Sequence, residues 1–302
     1  MKIIILCAPD ARKAVPQLLK KLRELDVEAS AYSIGKQWEK TELGYIRQYT
    51  LNATHFLVVL SKGAVKSRWL PFAAGYCIDR TRILVFYAEQ KVSGLPSYLA
   101  EVPVYTEQEN LCNFIVKETK TWKERQRRLK ARKAIEESGI DFTEAAFVQC
   151  VEEGNIQTVK LFLEAGMDAD MENKSGVSLL GLAVRNRHAG VIPLLLNYDA
   201  DIDHKSKDRW DTPLMDAAAE GAEECVDTLI RAGADLDQTS KNGQTALILA
   251  IGRGNSVIAS RLIRAGADVT PVDKLGMSAK KYATLFGYKD ILRMIELSET
   301  NK

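Results

Sequence analysis

The chain has 302 residues, with 42 lysines and arginines against 40 aspartates and glutamates, for a formal charge of +2. That length accommodates two domains with separate cores, and the near-neutral total hides two opposite halves: residues 1–105 hold 15 basic and 9 acidic side chains, 106–140 hold 9 and 6, and 141–302 hold 18 and 25. Five scattered cysteines (Cys7, Cys77, Cys112, Cys150, Cys225) without a CxxC pair and three dispersed histidines suit reduced thiols in a cytoplasmic protein and argue against a metal site. No run approaches the roughly 20 apolar residues that span a bilayer, and the start does not read as a cleaved signal.

Residues 1–105 alternate apolar runs with amphipathic stretches. The runs predict strands over Lys2 to Cys7, Val27 to Ser33, His55 to Ser61, Arg82 to Tyr87 and Val102 to Tyr105, and helices over Ala11 to Leu25, Lys40 to Leu51 and Ser67 to Ile78. Continuous apolar strands separated by helices indicate a five-stranded parallel sheet covered on both faces, an open flavodoxin-like α/β domain. A ligand of such a sheet lies beyond the carboxyl ends of its strands, near Ala8-Pro9-Asp10, Ser33-Ile34-Gly35 and Ser61-Lys62-Gly63.

The stretch Phe56 to Ser61, followed by Ser67-Arg68-Trp69-Leu70-Pro71-Phe72-Ala73-Ala74-Gly75-Tyr76, resembles a Toll/interleukin-receptor (TIR) domain of the bacterial kind. In that family a strand ends in serine and a helix opens with serine, any residue, then tryptophan. Ser30 to Ser33 and Leu95-Pro96-Ser97-Tyr98-Leu99 fall where the family has its second strand and a leucine-proline segment. The resemblance implies either self-association or handling of NAD or a related nucleotide. NAD-cleaving members carry a glutamate four residues after the tryptophan, and this chain has Ala73 there. Alanine cannot accept a proton or hold a ribose hydroxyl, and losing one such group costs about 10²- to 10⁴-fold in rate. No catalytic residue is assigned; an NAD-cleaving enzyme using an unconventional residue is the alternative to a binding domain.

Pocket candidates are Pro9, Asp10, Trp38, Ser61 and Trp69. Each has a plainer structural reading: Asp10 as a cap for the helix near Ala11, Trp38 as a cover for the sheet edge, Trp69 as core. The Ser33-Ile34-Gly35-Lys36 stretch lacks the glycine-rich loop that cradles phosphate.

Residues 107–137 predict one long helix within a connector spanning 106–140. Leu111, Phe114, Ile115, Trp122 and Leu129 give it an apolar side, and nine lysines and arginines crowd the rest. An anionic surface or a solvated connector against the acidic half would both use such a helix. Sparse aromatics and the net negative repeats weigh against nucleic acid.

Residues 141–302 repeat. Asp168, Asp201, Asp235 and Asp268 recur at steps of 33 or 34 residues, together with Leu180, Leu214 and Leu247 and with Ala183, Ala217, Ala250 and Ala283. Gly154, Gly221, Gly254 and Gly287 share another slot, interrupted by Arg187. Asp211-Thr212-Pro213-Leu214-Met215, Gly243-Gln244-Thr245-Ala246-Leu247 and the endings Arg231-Ala232-Gly233-Ala234-Asp235 and Arg264-Ala265-Gly266-Ala267-Asp268 resemble the ankyrin repeat, a turn plus two antiparallel helices. Five units run over roughly 142 to 298, the first without its leading turn. Trp210 replaces a turn glycine, with one residue inserted before it.

In this family the turns form a row of projecting fingers. The resemblance therefore implies a protein partner, taken by Lys174, Arg209, Trp210, Lys241 and Lys274, with Trp210 as aromatic anchor and an acidic surface as complement. Exposed turns also accept lysine without any partner. The expected function is an interaction scaffold or signalling adaptor with no metal and no membrane span.

Overall fold

The computed structural model describes residues 1–33, 52–61, 83–90 and 95–300, together with residues 65, 70, 75 and 93, apart from the side chain of residue 9. These residues divide into two compact units, Met1–Gln126 and Arg127–Lys302.

The first unit is built on β1 (Lys2–Cys7), β2 (Glu28–Ser33), β3 (His55–Val59), β4 (Ile83–Tyr87) and β5 (Val104–Tyr105). They form one all-parallel sheet in the order β2-β1-β3-β4-β5. Alternate side chains go to opposite faces. Ile4, Leu6, Phe56, Val58, Leu84 and Phe86 make one buried layer, while Ile3, Ile5, Cys7, Leu57, Val59 and Val85 make the other. That double burial is why these strands read as unbroken apolar runs, whereas the edge strand β2 is more polar and only half buried.

The helix expected over Ala11 to Leu25 is two elements. A 3-10 turn, Pro9–Ala14, leads into α1, Val15–Glu24. Pro16 stands in the first turn of α1 and has no N–H to give a preceding carbonyl, so α-helical bonding starts only around it. Leu18 and Leu22 of α1 pack into the second layer. The expected helix over Lys40 to Leu51, most of that over Ser67 to Ile78, and with them Trp38, Trp69 and Ala73, lie outside the described residues.

The long helix α2 spans Gln108–Glu137 and runs through the boundary between the units. Leu111 and Ile115 are buried in the first unit's core, and Ile135 is buried in the second unit's core. Leu129, expected on the apolar side, is 55% exposed; Ala131 and Ile135 take the burial instead. In its second half Arg127 donates to Glu164 at 2.9 Å and to the Tyr198 hydroxyl at 2.8 Å, and the Arg132 guanidinium lies 5.0 Å from the Phe142 ring centre. The end of α2 thus covers the first repeat, which has no leading turn.

Five helix pairs follow: α3 (Glu144–Glu152) with α4 (Ile156–Glu164), α5 (Leu179–Arg185) with α6 (Ile192–Leu196), α7 (Pro213–Glu220) with α8 (Glu223–Ala232), α9 (Ala246–Gly252) with α10 (Ser256–Arg264), and α11 (Ala279–Phe286) with α12 (Lys289–Thr300). First helices stack on first helices and second on second. Ala183, Ala217, Ala250 and Ala283 are fully buried between them, and Leu180, Leu214 and Leu247 fill the seams. Thr143, Ser178, Thr212, Thr245 and Ser278 each cap a first helix by accepting a backbone N–H. Arg187, in the glycine slot, takes the same left-handed backbone as the glycines, φ +62° against +70° at Gly221, and its guanidinium donates to the carbonyl of Glu220 one repeat on.

The periodic aspartates do more than favour turns. Asp170 N–H donates to Asp168, Asp203 to Asp201 and Asp237 to Asp235, each at 3.0–3.1 Å. Between repeats, Asp201 N–H donates to Asp170, Asp235 to Asp203 and Asp268 to Asp237, at 2.6, 3.0 and 2.7 Å. The carboxylates therefore form an unbroken zigzag that locks each loop and ties it to the next.

Candidate functional site

Four hairpin-like turns precede the capped first helices α5, α7, α9 and α11. Three share one construction. In each, a polar residue (Asn173, Ser240, Asp273) donates its N–H to the residue four on and accepts from a glycine three on (Gly176, Gly243, Gly276) at 2.8–3.0 Å. Those glycines have φ of +70° to +75°, a region that costs other residues free energy. Gly176 has a second reason to lack a side chain, since a Cβ there would stand 2.5 Å from Lys207.

The second of the four, before α7, holds one residue more. Ser206 N–H reaches the carbonyl of Asp211, five on, at 3.0 Å, and Trp210 N–H returns to the Ser206 carbonyl at 2.8 Å. The frame is kept and the tip grows from three residues to four. Trp210 inherits the left-handed position with φ +59°. Its side chain stays 55% exposed.

The tips are joined edge to edge. Lys207 N–H donates to Gly176, Lys241 N–H to Arg209 and Lys274 N–H to Asn242, at 2.9, 3.3 and 2.9 Å. The structure thus brings Lys174, Arg209, Trp210, Lys241 and Lys274 into one exposed row. Among the described residues, no ion pair engages the ammonium groups of Lys174, Lys241 or Lys274.

Arg209 has a different part from the one expected. Its guanidinium is turned onto Asp216, at 3.0 Å, and lies 3.5 Å from Asp211. Arg185 closes the other side, donating through Nε to Asp216 at 2.8 Å and through its Nη atoms to Asp208 at 3.0 and 3.2 Å. Lys207 pairs with Glu172, which also faces His204 at 3.2 Å. Every charged side chain of the second tip is therefore matched within the repeat domain, and Trp210 alone projects uncommitted.

Burial governs the charges beneath the tip. Asp216 is 1% exposed, and desolvation pushes its carboxyl up to about 6 even against Arg185 and Arg209. Burial also raises Asp211. The Arg185 fork holds Asp208 far below the ordinary carboxylate range. Lys207, with His204 adding to it, holds Glu172 low.

Sequence reasoning missed Arg185, Asp208 and Asp216. A signal was present: the slot of Asp216 holds Leu182, Leu249 and Tyr282 in the neighbouring repeats. An acid in a slot otherwise filled by large apolar side chains, beside a one-residue insertion, marks a polar network replacing packing.

In the first unit, Asp10 and Ser61 lie just past the carboxyl ends of β1 and β3, which are neighbours in register at Cys7 and Val59. Asp10 is exposed in the first turn of the 3-10 segment, and no side chain caps that segment. A separate cavity of about 10 Å³ lies at the amino end of β3, among His55, Leu111, Phe114, Ile115 and Glu118. There burial lowers the His55 imidazole despite Glu118 at 3.6 Å. Among the described residues, no group of three or more His, Cys, Asp or Glu is placed to hold a metal, and no helix is long and apolar enough to cross a membrane.

The sequence profile described as Ankyrin repeats (3 copies) matches residues 130–208, 147–240 and 214–301. A putative ankyrin repeat-containing protein of Treponema pallidum is 29% identical over 292 residues, covering 95% of this chain and 96% of that protein. Mouse protein phosphatase 1 regulatory subunit 27 is 30% identical over 121 residues, 39% of this chain and 76% of its own length. Human ankyrin repeat domain-containing protein 63 is 33% identical over 101 residues, 32% of this chain and 26% of its own length. With the profile spanning more than half its length, and with five stacked helix pairs, the chain belongs to the ankyrin-repeat family.

Proposed function

We propose that this chain is a protein-docking module whose finger row receives an acidic segment of a partner protein. Ankyrin-repeat proteins mediate protein–protein interaction, and one relative is named as a regulatory subunit of protein phosphatase 1. The observation that carries the acidic partner is the pattern along the row. Lys174 on one side and Lys241 and Lys274 on the other keep uncommitted ammonium groups, while Trp210 projects between them. A large exposed aromatic ringed by like charges is the usual make-up of an interface anchor with a polar rim.

The test is to place a photo-crosslinking aromatic residue at position 210 in the source cell and identify the adduct by mass spectrometry. Reversing Lys174, Lys241 and Lys274 to glutamate should remove the adduct and leave the far-UV circular dichroism unchanged. An adduct that persists after reversal overturns the acidic partner.

For the first unit, we propose a flavodoxin-like, TIR-related domain that assembles or senses a nucleotide. The strand order supports this reading: the chain reverses direction across the sheet between β1 and β3, and Asp10 and Ser61 flank that reversal. Titrating the full chain with NAD by calorimetry, with nicotinamide release followed in parallel, separates binding from cleavage. Turnover that disappears in Asp10→Ala would make the enzyme alternative correct.

A further inference from the structure

The four fingers invite a question that the docking reading leaves open: why one of them departs from the shared construction. The second tip is longer by one residue, carries a tryptophan where its neighbours carry glycine, and stands over an aspartate where its neighbours have leucine or tyrosine. Separately, each change is unfavourable. A non-glycine residue in the left-handed region persists only where its surroundings impose it. A buried carboxylate persists only when paired.

Together the changes form one device. Arg209 and Trp210 are consecutive, and Arg209 is drawn inward to Asp216 at 3.0 Å. Arg185, from the preceding repeat, grips Asp216 at 2.8 Å and Asp208 at 3.0 Å, so two of the four tip residues are fixed from below. Lys207 is fixed sideways by Glu172. What remains free is the indole.

Resting on the docking reading above, we infer that Asp216 is the positioning residue of this surface. Clasped between Arg185 and Arg209, it holds Trp210 outward as the anchor for an acidic segment that carries an apolar or aromatic side chain. The charge of the second tip is spent internally. Attraction for the partner's carboxylates then comes from Lys174, Lys241 and Lys274, and selection for its apolar side chain comes from Trp210. Anchors that are ordered before binding lose less entropy on association.

The experiment uses the full chain with two polymers, poly-L-glutamate and the random copolymer of glutamate and tyrosine. The copolymer should bind more tightly, because only it can use Trp210. Asp216→Asn keeps the side-chain shape but presents an amide N–H to one of the two arginines. It should weaken copolymer binding at least fivefold and leave poly-L-glutamate within twofold. Trp210→Ala should do the same, and the double variant should be no worse than either single one. A merely stabilising aspartate would not give this non-additivity.

Unchanged copolymer affinity in Asp216→Asn, or full additivity with Trp210→Ala, overturns the inference. If neither polymer binds the unaltered chain, the docking reading fails, and the clasp is judged separately. In the chain labelled with 5-fluorotryptophan, the Trp210 fluorine resonance, assigned by its loss in Trp210→Phe, should shift and broaden in Asp216→Asn. An unmoved resonance overturns the clasp as well.

Discussion

The second fingertip and the other three share a hydrogen-bond frame and differ in what maintains it. In the turns ending at Gly176, Gly243 and Gly276, the backbone does the work: a glycine takes the left-handed position and one short polar side chain accepts the neighbouring N–H groups. In the turn ending at Trp210, side-chain electrostatics do it, through two arginines and three aspartates around the buried Asp216 carboxylate. A glycine turn is cheap and shows little to a partner. An ion-pair turn costs desolvation and presents a large aromatic surface in a set direction.

That contrast can be broken most forcefully at Arg185. Arg185→Leu leaves Asp216 buried with only the half-exposed Arg209 and should lower stability by about 3 kcal/mol. The double variant Arg185→Leu with Asp216→Leu, which copies the leucine of neighbouring repeats, should recover most of the loss. Urea denaturation of the four-member cycle measures the coupling. Additive losses would show that the pair is not a unit.

Protonation should separate the two carboxylates that share Arg185. Asp216 titrates at about 6 in the folded chain, above its unfolded value, so its contribution is fully present at low pH and declines as pH rises from about 4 to about 6. The decline amounts to about 3 kcal/mol, and Asp216→Asn should abolish it. Asp208 acts in the opposite sense. Its folded value is depressed, so its contribution is present above the ordinary carboxylate range and is lost as pH falls below it. Urea midpoints between pH 3 and 7 for wild type, Asp216→Asn and Asp208→Asn check both signs.

A smaller effect lies in the backbone. Trp210→Gly should raise stability by about 1 kcal/mol by relieving the left-handed conformation, while Gly243→Ala should lower it by about the same amount. Thermal denaturation of the two variants reads the difference directly; equal signs would mean that the ion pairs do not impose the conformation of Trp210. The smallest effects belong to the rim. Lys174→Ala, Lys241→Ala and Lys274→Ala should each change stability by less than about 0.5 kcal/mol, as exposed unpaired side chains do.

Much of this architecture was legible in the residues. The strands from Lys2 and His55, the long helix ending at Glu137 and the five repeat units follow from local periodicity, because burial on two faces, on one stripe or at a fixed step leaves a direct imprint on composition. The one-residue insertion before Trp210 was legible too, as was its glycine slot. What filled the space beneath was not. Asp216 reads as one more acid in an acidic half, and Arg209 as one more exposed cation, until the stack sets Arg185 against both. Likewise the N-terminal helix reads as continuous from Ala11, although Pro16 forces a 3-10 entry.

The sequence by itself determined the period, the helix pairs and the parallel sheet, since each leaves a periodic or continuous apolar imprint on its own segments. Only the tertiary structure decided which aspartates bond across repeats and which arginine turns inward. The cross-repeat bonds, such as Arg185 to Asp216 or Asp170 to Asp201, join residues 31 apart, and these contacts of 2.8 and 2.6 Å exist only once the repeats have stacked. A carboxylate has the same letter whether it faces water or a guanidinium, and its surroundings, fixed by packing, set its charge and its role.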